Sequence, residues 1–171
     1  MNEQIVDFLM FTNLGQNKFY KGSYANNELD KYKIHISNLN KSKCFGFICN
    51  TLNRNQSHRM GHWVALTVKF DSGLKSINVK FIDSYRLSHV IYGGNIVKYI
   101  SRLRLLAMEN NIKFTFEEIP FRLQGLKTST CGVYCIYGLT GLSKCNSATL
   151  KSFFSNFNRI IGYYIIEYKI K

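Results

Sequence analysis

The sequence predicts a domain of mixed helix and strand on three observations. Residues 61–70 and 77–83 alternate in the manner of two strands, with Asp71-Ser72-Gly73 as the turn region between them. Residues 95–111 carry apolar side chains at helical spacing. Residues 131–142 form an apolar run that opens on a cysteine behind Thr128-Ser129-Thr130, a set suited to an N-cap.

Taken in order, Ile5, Phe8, Leu9 and Leu14 suggest a short amphipathic helix ending near Gly15, followed by polar, turn-rich sequence. Residues 44–50, Cys-Phe-Gly-Phe-Ile-Cys-Asn, read as a buried strand, and 53–59 as the loop after it. In the next strand His62, Val64, Leu66, Val68 and Phe70 share one parity, as do Val79, Phe81 and Asp83 in the one that follows. If the two form a hairpin, His62 begins the first strand and Asp83 finishes the second, so both lie at its open end. Ile96, Ile100, Leu103 and Ala107 set the buried face of the helix over 95–111. Residues 114–123 read as a strand bent or edged at Pro120. After the helix opened by Cys131 come a helix over 148–157 and an aromatic, β-branched run over 160–170 of either type.

At 171 residues, with no composition shift, repeat or linker, residues 1–171 are expected to be a single domain. The net charge of +13, from 23 Lys and Arg against 10 Asp and Glu, favours a polyanionic partner. DNA is the first candidate and an anionic membrane surface the second, beside the plainer reading that the charge serves solubility. No stretch approaches the ~18 apolar residues of a membrane span, and the first residues lack the pattern of a signal peptide, so a soluble protein is expected. The odd set Cys44, Cys49, Cys131, Cys135 and Cys145 does not read as a disulfide framework, and at least one thiol should be free.

A cysteine is a useful nucleophile only as thiolate, so a site must lower its pKa with a positive neighbour or a helix N-terminus. Cys131 is placed for both. Asp83 suits the acceptor that orients a histidine and supports its cation, and Gln124, seven residues before Cys131, suits an oxyanion donor beside the Cys131 N–H. Each has an ordinary reading alone: a buried cysteine, a core histidine, a turn aspartate, a solvated glutamine. Together, a strand-leading His62, a strand-ending Asp83 and a helix-leading Cys131 match a Cys-His-acid arrangement. Cys135, one helical turn on, is assigned to packing. A metal site is not expected, because His58 and His62 lie in no helical pattern and Cys44/Cys49 and Cys131/Cys135 lack CxxC spacing.

At these residues the chain resembles the adenovirus endopeptidase (adenain) family, within the larger group that includes SUMO-specific proteases. The resemblance runs through Gly22-Ser23-Tyr24, Cys49-Asn50-Thr51, Gly61-His62-Trp63-Val64-Ala65 and Phe81-Ile82-Asp83-Ser84-Tyr85. It is strongest over Leu123-Gln124-Gly125 and Ser129-Thr130-Cys131-Gly132-Val133-Tyr134-Cys135, and covers roughly residues 20–142. It implies an α+β papain-like fold with a mixed or antiparallel sheet packed by helices. It also implies a His62, Asp83, Cys131 triad, an oxyanion hole from Gln124 and the Cys131 amide, and Trp63 as a wall beside the imidazole.

The implied activity is cleavage of virion precursor proteins near Gly-containing sites during particle maturation, in the virion and host nucleus. Double-stranded DNA is the implied activator, on a surface for which Lys41, Lys43, Arg59, Lys98, Arg102 and Arg104 are candidates. The chain departs from the family in carrying Asp83 where adenovirus enzymes have Glu, followed by Ser84 as in SUMO proteases. It also carries Lys113 where those enzymes have the cysteine that bonds a short activating peptide, so any such peptide would bind non-covalently. A monomer is expected. Two rival readings remain: a deubiquitinase or SUMO-type isopeptidase, and an inactive basic DNA-binding or packaging protein on a protease fold.

Overall fold

The computed structural model describes residues 19–34, 44–56, 61–73, 75–120, 122–124 and 130–144, with 140–144 by backbone alone. The expected helix near 5–15, the elements over 148–170, Lys41, Lys43, Arg59, His58 and Cys145 lie outside the described residues. Five strands form one mixed sheet in chain order: β1 (Tyr20–Ala25), β2 (Cys44–Asn50), β3 (Trp63–Asp71), β4 (Ser76–Ile82) and β5 (Lys113–Glu118). The inner pairs β2/β3 and β3/β4 are antiparallel, and the outer pairs β1/β2 and β4/β5 are parallel. Helix α1 (Gly94–Glu109) connects β4 to β5, as a parallel pair requires. Helix α2 (Cys131–Lys144) follows β5.

Helices α1 and α2 cover opposite faces, which explains why β3 is buried on almost every residue. Val64, Leu66, Val68 and Phe70 join Phe45, Phe47, Val79 and Phe81 against Ile96, Ile100, Leu103 and Ala107 of α1. Trp63 and Ala65, of the opposite parity, join Ile48 and Ile82 against Cys131, Cys135 and Leu139 of α2. Leu139 is fully buried, worth about 1.5–3 kcal/mol over leaving it in water. Its seat exists because Gly46 has no side chain: a Cβ there would stand 2.8 Å from Leu139 Cδ2.

The hairpin of β3 and β4 matches the alternation, although each strand starts and stops beside the expected ends. His62 lies just before β3 and Asp83 just after β4. The strand expected over 114–123 ends at Glu118, because Pro120 has no N–H to continue the ladder. Ile119 N–H still donates to Phe81 O at 3.0 Å, and the Leu123 and Gln124 amides then both donate to Ser84 O at 2.9 and 3.1 Å. That detour carries Gln124 back beside Asp83-Ser84.

Two elements depart from the expectation of turn-rich sequence after residue 15: strand β1 and the 3-10 turn Asn26–Lys31. No helix among the described residues is long and apolar enough to cross a membrane.

Candidate active site

His62 is held at its backbone before its ring does anything. Its N–H donates to Thr51 Oγ1 at 3.1 Å, and its carbonyl accepts from Thr51 N–H at 2.8 Å. The preceding Gly61 admits no side chain, since a Cβ would fall 2.0 Å from Asn50 Oδ1. That Asn50 oxygen also accepts from Leu52 N–H at 2.9 Å, so the turn into His62 is packed against the end of β2.

The imidazole Nε2 lies 2.8 Å from Asp83 Oδ1, which leaves Nδ1 for the hydrogen bond between His62 and Cys131. Tyr85 and Tyr92 lie against the ring, with centroids 4.7 and 5.6 Å away and planes inclined by 31° and 30°. Tyr85 ends the matched block Phe81-Ile82-Asp83-Ser84-Tyr85, whereas Tyr92 has no sequence signal, because the stretch between them has no period that predicts which aromatic turns inward. Trp63 is buried in the layer with Cys131 and Cys135.

Asp83 is 2% exposed and accepts four hydrogen bonds. Oδ1 takes His62 and the Tyr85 N–H at 2.8 Å, while Oδ2 takes the Leu87 N–H at 3.1 Å and the Tyr92 hydroxyl at 2.5 Å. Burial pushes this carboxyl up, but the His62 and Tyr92 hydrogen bonds and the Tyr85 amide outweigh it, so it stays below its ordinary range. Burial and the Asp83 charge push the Tyr92 phenol up, keeping it a donor.

Cys131 opens α2, whose first helical bond runs from Tyr134 N–H to Thr130 O at 3.1 Å. The thiol is 8% exposed, and that burial alone would raise its pKa. The His62 hydrogen bond, backbone hydrogen bonds from Trp63 and Gly132 and the imidazolium charge lower it below the ordinary thiol value. In His62, burial works against the cation, yet the hydrogen bonds to Asp83 and Cys131 raise the pKa to about 9. The two groups thus shift each other toward thiolate and imidazolium.

The other thiols differ. Cys135 is fully buried, donates to Trp63 O at 3.2 Å, and is pushed well up by burial and the Cys131 charge. Burial raises Cys44 to about 11 despite the Lys69 charge. No cluster of three or more His, Cys, Asp or Glu suited to a metal occurs among the described residues.

Gln124 is 5% exposed and not the solvated glutamine of its ordinary reading. Its Oε1 accepts from Thr130 Oγ1 at 3.5 Å. The structure thus brings together His62, Asp83 and Cys131 by contact and sets Gln124 against the residue that precedes Cys131. The basic candidates are more dispersed. Lys98 and Arg102, four residues apart on α1, share a face, with Arg102 paired to Asp30. Arg104 instead lies 5.4 Å over the Phe114 ring of β5.

Scans against protein-family models and curated protein sequences yield no match. Among solved structures, the chain is similar to the ASFV pS273R protease, with a TM-score of 0.64 at 15% identity over 91% of this chain and 60% of that one. A selenomethionine form of that protease gives 0.63 at 14% identity over 88% and 61%. A de-sumoylating protease gives 0.48 at 16% identity over 92% and 73%. The chain spans about 60% of the length of the ASFV protease, and the likeness is one of fold.

Proposed function

We propose that this chain is a single-domain cysteine endopeptidase of the adenain-like type, with Cys131 as nucleophile, His62 as acid and base, and Asp83 orienting His62. The observation that carries the reading is the continuous chain of contacts from Asp83 through His62 to a helix-opening Cys131. The fold likeness to the ASFV pS273R protease supports it.

In the reaction, the Cys131 thiolate adds to the peptide carbonyl carbon and forms a C–S bond. The oxyanion lies between the Cys131 amide and the Gln124 side chain. The C–N bond then breaks as His62 gives its Nδ1 proton to the leaving amine. Water, deprotonated by His62, attacks the thioester, releases the acid and restores the thiol. Gln124→Ala is expected to lower kcat by roughly a hundredfold to a thousandfold with KM little changed, read from steady-state kinetics.

The pH dependence follows from the pair. Raising pH through about 9 removes the His62 proton and with it the acid for the leaving amine. The alkaline limb of kcat/KM should therefore centre near pH 9, and the acid limb below the ordinary thiol range, where Cys131 becomes protonated. An alkaline limb at the ordinary histidine value would contradict the coupling.

By its resemblance, the substrates are virion precursor proteins cut near Gly-containing sites, in the virion and host nucleus. The net charge of +13 supports DNA as activator. The test is cleavage of a fluorogenic peptide ending in Leu-Arg-Gly-Gly, with and without double-stranded DNA at low salt. Activity that rises with DNA supports the maturation reading. Activity indifferent to DNA, with cleavage of ubiquitin-like fusions, supports the isopeptidase reading favoured by Asp83-Ser84. No activity with retained DNA binding would leave a basic packaging protein.

A further inference from the structure

Tyr92 contributes both a hydrogen bond to Asp83 and a ring face to His62, and it ends the 3-10 turn His89–Tyr92. Val90 and Ile91 within it are 61% and 65% exposed. The apolar anchorage of the turn comes instead from Tyr92 and the His89 ring, which pack against Phe81 and Phe116. Between the loop bearing Asp83, Arg86 and Leu87 and the strand end bearing Glu118, Ile119 and Pro120 lies a cleft of about 290 Å³.

A polar clamp spans this gap. Glu118 Oε1, at the end of β5, accepts from Ser88 Oγ at 2.9 Å, from His89 N–H at 2.9 Å and from His89 Nδ1 at 2.5 Å. The His89 ring is held between Phe116 and Phe81, with centroids 4.7 and 6.1 Å away. The other charged groups nearby are Asp83 and Arg86 on the loop and Lys80, which pairs with Glu117 at 3.1 Å.

We propose that Glu118 is a positioning residue for the site, acting through Ser88 and His89 to set Tyr92 against Asp83 and His62. The inference rests on the reading of Cys131 as an activated nucleophile. Without the clamp, the turn loses its register, the Tyr92 hydroxyl leaves Asp83, and the carboxylate and the imidazole ring lose part of the contact that holds them in line with Cys131.

The experiment is the pH profile of Cys131 alkylation by iodoacetamide in the full chain, with thermal unfolding in parallel. The variants are Glu118→Ala, Glu118→Gln, Ser88→Ala, Tyr92→Phe and the Glu118→Ala/Tyr92→Phe double. Glu118→Ala should slow alkylation on the acid side by about tenfold, as the thiolate limb moves up in pH. Glu118→Gln, which keeps an acceptor oxygen, should restore most of that loss. In the Tyr92→Phe background Glu118→Ala should add little, since both act through one contact. Ser88→Ala removes one of three donors without touching β5 and should shift the profile the same way by less, including where Glu118→Ala does not fold.

A wild-type profile in Glu118→Ala and Ser88→Ala, or independent multiplication of the Glu118 and Tyr92 effects, would overturn the positioning role alone. A wild-type Cys131 with an ordinary thiol profile would instead overturn the catalytic reading beneath it.

Discussion

Replacing Cys131 by alanine should lower peptide hydrolysis by roughly a million-fold, to the floor of the assay, while the protein stays folded. The size follows from the role: without the sulfur no acyl-enzyme forms, and the remaining groups only position substrate. The fold should survive because the thiol is a small group at the first position of α2, and alanine keeps the helix start. Cys135→Ala is the contrast, since that thiol packs within the core and donates to Trp63 O. It should keep hydrolysis while lowering thermal stability. Equal activity in wild type and Cys131→Ala would remove the nucleophile from the account.

Asp83→Asn should lower kcat by about ten-thousand-fold, with a measurable loss of stability. Each carboxylate oxygen accepts two donors, Oδ1 from His62 and Tyr85 N–H and Oδ2 from Leu87 N–H and the Tyr92 hydroxyl. Asparagine offers one oxygen, so two of those buried donors meet an N–H₂ group instead of an acceptor, at a cost of about 1–3 kcal/mol. In either orientation the negative charge that supports the imidazolium is gone, and the His62 pKa falls. Kinetics and thermal unfolding of the one variant read both effects. A stable, fully active Asp83→Asn would show that the carboxylate is only a turn cap, its ordinary reading.

Much of this arrangement was legible because strong periodicity coincided with simple packing. β2 spans the residues its apolar run marks, 44–50, because a strand buried on both faces shows as an unbroken run. The four helical-period residues of 95–111 all face the sheet from α1. The meeting of His62 with Asp83 followed from two alternating runs and one turn, since hairpin pairing brings the far ends together. Strand β1 was not legible: Tyr-Lys-Gly-Ser-Tyr-Ala is buried mainly at its two ends, and its pairing with β2 is parallel and non-local. Tyr92 and Glu118 were invisible for a related reason, as their roles depend on how the β4–α1 connection folds onto β5. Sequence spacing carries no trace of that.

The most direct test of the central claim is competition among the described thiols for iodoacetamide at mildly acidic pH, with the alkylated sites identified by peptide mass spectrometry. The account predicts that Cys131 is alkylated first and at least about tenfold faster than Cys44, Cys49 or Cys135, and that His62→Ala abolishes this preference. A Cys131 no more reactive than the other three, or one whose reactivity is indifferent to His62, would contradict it.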